Sequence, residues 1–528
     1  MSAPVTPGGS ATGGAYPHYV LGVLTLVYVF NFIDRQILSI LNDEIKRDLG
    51  LRDAEMGFLY GTAFAVFYAL FGIPLGRLAD VWTRRSLIAV SLAFWSAMTA
   101  VSGLARNFGE LAAARIGVGV GEAGASPAAF SLLSDYYPAA RRATVLALYS
   151  SGIYIGAGLG LMIGGQIVGR WDAAFPDATA PFGLRGWQVA FFVVGLPGLL
   201  LSLWVATLRE PKRGAFDAVH ARGDGAVEPH PFRVAGRELA AVLPPLTLWT
   251  LVHAGAGARG IAINLAAAAL LTTGAALLIA WTGDTAQWIA MAVGCYAAFS
   301  WAQGLHLRDR QSAALILGTP TLRWSALGFG LLAFTGYGVG YWTTPFFLRV
   351  HGVPVEQAGL VLGGTAAASG WLGVAIGGVL ADAWRRRSPR GRFHLALLAT
   401  LLPAPVLPWM LSTGNTTLAL ALNVPLSMAG SMWIGVGAST VQDLVLPRMR
   451  ATASAAYLLV VTFVGLAMGP YTIGQLSDAF GLRTALLSGL AANAVALVCI
   501  FVASRHIERD EHTLAERAER AASRSDLA

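Results

Sequence analysis

The chain has 528 residues, of which 55% are hydrophobic and 12% charged, with a mean hydropathy of +0.60. Apolar runs of about 20 residues, the length that spans a bilayer, recur along it and exclude a soluble globular enzyme. The formal net charge of +8 does not imply a nucleic-acid partner, because the arginines fall in short segments between apolar runs, where a charge bias sets orientation.

In chain order, residues 1–18 (MSAPVTPGGSATGGAYPH) hold no Lys or Arg and no short cleavable apolar core, so they read as a disordered cytoplasmic tail rather than a signal peptide. Six spans follow: Tyr19 to Leu41, Met56 to Gly76, Leu87 to Leu104, Leu111 to Leu133, Val145 to Val168 and Val189 to Leu208. They form an N-terminal six-helix bundle at 19–208. Within 209–323, a polar cytoplasmic loop leads to two weaker spans, Ile261 to Trp281 and Trp288 to Leu305, read as peripheral packing. Six more spans make a C-terminal bundle at 324–504: Trp324 to Leu348, Leu360 to Leu380, Leu395 to Leu411, Leu418 to Val441, Ala453 to Leu476 and Leu486 to Ala503. Residues 505–528 read as a solvated cytoplasmic helix.

With the N-terminus inside, 26 of the 37 Lys and Arg fall in cytoplasmic segments and 8 outside, the other three being Arg35, Arg115 and Arg259. That asymmetry places both termini in the cytoplasm. The expectation is an all-α polytopic membrane protein, a monomer in a bacterial-type inner (plasma) membrane. Cys295 and Cys499, both in apolar runs, give no disulfide framework or metal site, and no cofactor or metal is expected.

The two sets of six look like copies. GRLADVWTRR (Gly76 to Arg85) recurs as GVLADAWRRR (Gly378 to Arg387), an offset of 302, and Gly57 and Gly61 match Gly359 and Gly363 at the same offset. RRAT (Arg141 to Thr144) recurs as MRAT (Met449 to Thr452), an offset of 308. An in-order repeat marks two halves related by an axis along the membrane normal, with substrate between them.

These motifs, with R-x-x-x-G in the fourth span (Arg115, Gly119), resemble the major facilitator superfamily. NFIDRQIL (Asn31 to Leu38) and GVGEAGASPAAFSLLSDYYP (Gly119 to Pro138) are similar to its spinster family, whose members are associated with lysolipid and sphingolipid transport. The resemblance implies the major facilitator fold, two six-helix bundles with pseudo-two-fold symmetry; the spans Ile261 to Trp281 and Trp288 to Leu305 depart from that twelve-helix pattern as two extra helices between the bundles, making about 14 transmembrane helices in all. It also implies that Asp34, Arg35 and Glu122 are coupling and substrate residues, and that Asp80, Arg84, Asp382 and Arg386 belong to a cytoplasmic latch, a gate that includes Gly76 and Arg85.

The residues support a similar reading independently. An ionised side chain at mid-membrane costs about 2.5 to 3.5 kcal/mol on insertion scales, so Asp34 and Arg35 need a cavity or partners. Neighbours on a helix point about 100° apart and do not face each other, so the partners must come from another helix. Arg115 and Glu122, seven residues apart, share one face of the fourth span. At 1.5 Å per residue they lie about 6 Å and 16 Å below its outer end, bracketing Asp34 and Arg35 at about 10 Å. This allows Asp34 to meet Arg115 and Arg35 to reach Glu122. Burial favours the neutral acid while a nearby guanidinium favours the anion, so a carboxylate whose partner can leave is a proton site. Asp34, Glu122 and Arg115 are the proton-coupling candidates. Shifting 34 and 35 by 302 gives Gly336 and Tyr337, and shifting 115 and 122 by 308 gives Asn423 and Gly430, so the second half lacks all four charges.

Arg35 and Glu122, with Tyr337, Tyr341, Trp342 and Trp433 lining an amphiphile cavity, are the substrate candidates. In the loop after the second span, Gly76 permits close helix approach, while Asp80 can pair with Arg84 or Arg85. Gly119, Gly121 and Gly124 spell G-x-G-x-x-G inside an apolar span, which is helix packing rather than a dinucleotide fingerprint. The chain's lysines are Lys46 and Lys212, neither in a phosphate-loop motif, which excludes an ATP-driven pump. There is no H-E-x-x-H or G-x-S-x-G, and the nine histidines show no metal-ligand spacing, so the chain is not read as an enzyme. The expected function is proton-coupled secondary transport by alternating access of an anionic amphiphile such as a lysophospholipid or sphingolipid-like molecule. The alternatives are transport of small organic acids and multidrug antiport. The expected partners are thus a small-molecule amphiphile or organic anion, protons and membrane lipids.

Overall fold

In the computed structural model, which describes residues 14–176, 180–213 and 230–526, nearly all of the chain is helical. The first half contains α1 (Tyr16–Ile40), α2 (Asp53–Val81), α3 (Arg84–Ser102), α4 (Phe108–Tyr136), α5 (Thr144–Ala174) and α6 (Gly186–Ala206). Between the halves lie α7 (Ala258–Thr282) and α8 (Thr285–Arg308). The second half contains α9 (Pro320–Arg349), α10 (Val355–Arg385), α11 (Gly391–Ser412), α12 (Thr416–Asp443), α13 (Arg450–Phe480) and α14 (Leu482–His512). Among the described residues twelve helices are long and apolar enough to cross a membrane. The other two, α8 and α9, are diluted by Gln and His and by Gly, Thr and Tyr respectively.

Local chemistry sets the boundaries. Pro17 opens α1, where a missing amide proton costs nothing. Asn107 caps α4 by accepting from the Glu110 amide, and Asn415 caps α12 by accepting from that of Leu418. In α13, Val461–Ala467 is wound as a π-helix. The polar tail begins later than its composition suggests, because α14 stays helical to His512 and a further helix covers Leu514–Asp526. The reason is tertiary: Asp510 is buried and its carboxylate accepts from the Thr321 amide at 2.9 Å and hydroxyl at 2.7 Å, capping the start of α9.

The start of α1 and the end of α14 lie on one face, the terminal face, while the α1–α2 and α9–α10 connections lie on the opposite, distal face. The halves meet along two seams, α2 on α13 and α5 on α10. A Cβ on Gly61 would sit 2.5 Å from the Leu466 carbonyl oxygen, and one on Gly363 would sit 2.5 Å from that of Gly158. Since 363 − 61 = 302 and 466 − 158 = 308, the two contacts are related by the offsets of the repeat. The repeat is therefore a structural pseudo-two-fold, and it needs glycine because each helix rests on its neighbour's bare backbone.

A side chain at these positions must force the seam apart at its distal end. Gly61→Val is expected to disfavour the distal-closed arrangement by about 1–3 kcal/mol, the usual range for overpacking, while each half keeps its own packing. Distances between nitroxide labels at Arg106 and Gly414, one on the distal face of each half, would register the opening.

The expectation that α7 and α8 are peripheral holds for α7, whose spanning window is 6% buried, and fails for α8. Gly294 of α8 lies against both Val66 of α2 and Phe463 of α13. Within the hairpin, Asn264 donates to Ser300 Oγ at 3.0 Å and to Gln303 Oε1 at 2.9 Å, and accepts from the Tyr296 hydroxyl at 2.7 Å. Polar groups hold the hairpin together where lipid offers no hydrophobic driving force.

Candidate functional site

The two charges of α1 diverge as helical geometry requires. Arg35 turns toward α2 and α4, where its Nε donates to Glu122 Oε2 at 2.7 Å, with Glu122 fully buried. The guanidinium also lies over three rings, 4.9 Å from the Phe32 centroid, 4.4 Å from Phe64 and 4.8 Å from Tyr68. Its two Nη groups form no hydrogen bond to any described residue, and the side chain retains 16% exposure. The result is a cation held from behind, with its forked edge free for an anion.

Asp34 turns the other way and is also buried, beside Trp95 and Thr99 of α3. The expected Asp34–Arg115 pairing is met only in part. Arg115 is fully buried nearby, yet its Nη1 donates at 3.3 Å to the Asp34 backbone carbonyl rather than to the carboxylate. Asp34 Oδ1, Arg115 Nε and Glu122 Oε1 have no hydrogen-bond partner among the described residues. Unpaired buried polar atoms are rare in folded proteins, and here they gather in one place: Asn31 Oδ1, Trp95 Nε1 and Thr99 Oγ1 beside them also lack a partner among the described residues.

The four aromatic candidates separate. Tyr337 is 38% exposed and faces Arg35 and Tyr68 from the opposite half. Tyr341 and Trp342 do not line a cavity here: both are fully buried in the distal closure. The Tyr341 hydroxyl accepts from Asn42 Nδ2 at 2.6 Å, its ring stacks on Tyr60, and Trp342 Nε1 donates to the Pro470 carbonyl at 2.8 Å. Trp433 stacks on Phe329 inside the second half's core. Sequence alone gave these rings their chemistry and not their direction.

The distal closure contains an ionic lock that the sequence reading missed. At the end of α9, Arg349 reaches across to the first half, its Nε 2.7 Å from Asp43 Oδ1, its Nη1 2.8 Å from Asp53 Oδ2 and its Nη2 2.8 Å from Asn42 Oδ1. Ser477 donates to Asp53 at 2.6 Å, and the Asp478 carboxylate accepts from the amides of Asp53 and Ala54 at 2.9 and 2.8 Å, capping α2 from the other half. The available signal was Arg349 itself, a basic residue at the end of a span on the sparsely charged side.

On the terminal face the predicted latch residues stay within their own halves. Arg84 is buried and binds Asp135, Glu210 at 2.7 Å and the Ser131 hydroxyl at 3.0 Å, not Asp80. Arg85 donates to the Leu208 carbonyl at 2.6 Å. Asp80 is exposed, 3.5 Å from Arg77. In the second half Arg392, rather than Arg386, binds Asp443 and lies 3.5 Å from Asp382; Asp443 is Asp135 shifted by 308. Nothing lies within 4 Å of a Cβ built on Gly76, so the expected close helix approach is not made in this state. Among the described residues the halves are thus tied by ionic groups at the distal face, while the predicted latch residues make no bond between the halves at the terminal face.

Comparison with known proteins agrees with this architecture. A family profile described as Major Facilitator Superfamily matches residues 24–470. The chain is 28% identical over 502 residues to an MFS-type efflux pump of Mycolicibacterium smegmatis, covering 93% of each. It is 31% identical over 218 residues to a probable galactarate/D-glucarate transporter of Bacillus subtilis, covering 40% of this chain and 44% of that one. Among solved structures, a bacterial homologue of the human lysosomal transporter spinster, in an inward-facing and unoccupied conformation, superposes with a TM-score of 0.69 at 27% identity, covering 94% of this chain and 99% of that one. With a profile spanning most of the chain, two halves related by the repeat offsets and a charged site buried in the first of them, the protein belongs to the major facilitator superfamily of transporters and resembles spinster.

Proposed function

We propose that the protein is a proton-coupled secondary transporter that moves an anionic amphiphile, such as a lysophospholipid, by alternating access. The observation that carries this reading is the Arg35 guanidinium, bonded to Glu122 on one edge and open on the other. An anionic head group that engages the free Nη atoms competes with Glu122 for the same cation. A released Glu122 carboxylate, still buried, then takes up a proton from the cavity, so an arriving anion is matched by an arriving proton. Asp34, with its unpartnered Oδ1 beside Arg115, is the second proton candidate. Tyr337 lies where the rest of the substrate would extend. The apolar rings around Arg35 favour an amphiphile, and the similarity to a spinster homologue supports that class.

The Lys and Arg distribution supports a cytoplasmic terminal face, which makes this the inward-open state; the resemblance to the superfamily supports Asp80, Arg84, Asp382 and Arg386 as a latch formed in the outward-open state, in a bacterial-type inner membrane. A second reading, transport of small organic acids, is supported by the likeness to the probable galactarate/D-glucarate transporter and by a guanidinium fork that suits carboxylate as well as phosphate.

Thermal-shift titration of purified protein with a lysophospholipid series and with aldaric acids separates the two: stabilisation by the acids alone would overturn the amphiphile assignment. Arg35→Lys keeps the charge and loses the fork, and is expected to weaken binding of the stabilising ligand about tenfold without unfolding the protein.

A further inference from the structure

The tip of the α7–α8 hairpin reaches a place that peripheral packing does not explain. Gly283 reverses the chain with φ +80°, and the Thr282 hydroxyl oxygen accepts from the Asp284 amide at 3.3 Å and from Trp288 Nε1 at 2.8 Å, fixing the turn. The Asp284 side chain so positioned is 6% exposed. One carboxylate oxygen binds the Arg52 guanidinium at the entrance to α2, in the first half, and the other accepts from the Tyr471 hydroxyl of α13, in the second, at 2.8 Å. Trp288 meets the Tyr471 ring edge-on, and Gln287 Nε2 lies 3.5 Å from Met468 Sδ.

The rest of the hairpin follows the same seam. At mid-depth Gly294 touches Val66 of one half and Phe463 of the other. Near the terminal face, Phe232 of the helix Pro231–Val242 packs on Trp82 at the end of α2, and the helix Arg310–Gly318 reaches the start of α13. The α5–α10 seam is different. Below Tyr154 and Gly370 the helices part, and Gly373 and Gly377 of α10 pack instead on α12.

We propose that the hairpin is a strap across the α2–α13 seam and that Asp284 is a gating residue, joining the two halves through Arg52 and Tyr471 while the distal face is closed. Because α8 lies along α2, the hairpin travels with the first half when the halves rock, and the bond that must break is the one to Tyr471. Arg52 and Tyr471 act in series: Arg52 holds the Asp284 carboxylate toward Tyr471, and the Tyr471 bond joins it to the second half.

The test uses the full-length protein, with Cys295 and Cys499 replaced by Ser and nitroxide labels at Arg106 and Gly414, and reads the share of the distal-open distance by pulsed electron resonance. Asp284→Asn and Tyr471→Phe are each expected to raise that share about tenfold, the effect of losing a hydrogen bond to a charged group. Tyr471→Phe leaves the hairpin's own sequence intact, so it reports even where Asp284→Asn folds poorly. Arg52→Gln combined with Tyr471→Phe is expected to do no more than the larger single effect, as a series latch requires. Unchanged distances in Tyr471→Phe, or effects of Arg52→Gln and Tyr471→Phe that simply add, would overturn the proposal.

Discussion

Glu122→Gln is expected to abolish uptake driven by a pH gradient in proteoliposomes, a loss of about a hundredfold or more if a neutral amide cannot load a proton at a site that must change charge, while exchange of substrate between equal pools persists. The substitution keeps size and hydrogen-bonding atoms, and it leaves Arg35 with its three rings, so binding survives while the link between proton and substrate is cut. Asp34→Asn is expected to behave similarly through the second carboxyl. The paired readout separates roles: a structural pin would lose exchange and gradient-driven uptake together, with a lowered Tm. Full pH-driven uptake in both variants would refute the coupling assignment.

Arg349→Ala is expected to shift the protein toward the distal-open state by about 2–3 kcal/mol, roughly 30- to 150-fold in the ratio of states. That figure lies below the cost of stripping one partner from a fully buried pair, because Arg349 is partly exposed and Lys46 still reaches Asp53 at 2.6 Å. The effect falls on the conformational equilibrium rather than on folding, since the Arg349 contacts with Asp43, Asp53 and Asn42 join one half to the other and are lost whenever the distal face opens. Arg349→Lys is expected to recover only part of the closure, because one ammonium cannot serve three acceptors in the geometry of a planar fork. The Arg106–Gly414 label pair measures both variants.

The pattern of what was legible follows from where each piece of information resides. The all-helical architecture and the two-fold relation were readable because hydropathy and repeat offsets are local or translational properties of the chain, although of the fourteen spans expected only twelve are long and apolar enough to cross a membrane among the described residues. The Arg35–Glu122 bond was readable because rise per residue fixes depth, and charge complementarity selects the partner. Asp34 shows the limit of that reasoning. Depth placed it opposite Arg115, but rotation about the helix axis, which depth does not encode, left the guanidinium on a backbone carbonyl. Tyr341, Trp342 and Trp433 were assigned by residue type, and packing directed them into the closure and the core. Arg349, Asp284 and Asp478 each act through partners in another part of the chain, without a local motif to announce them.

The glycine-on-carbonyl seams bear on how fast such a molecule can work. At Gly61 on Leu466, and again at Gly363 on Gly158, a glycine meets its neighbour's main chain, with the Met162 side chain beside the second contact. Ordering a long side chain costs up to about 1.5–2 kcal/mol in rotamer freedom; a smooth helix face has none to surrender at the point of contact. The two halves can therefore part and re-seat there with few side chains to re-sort, which keeps repeated excursions shallow in entropy and leaves the holding power to directed bonds, the Thr62 hydroxyl on the Ala467 carbonyl at 2.7 Å and the ionic groups at the rim.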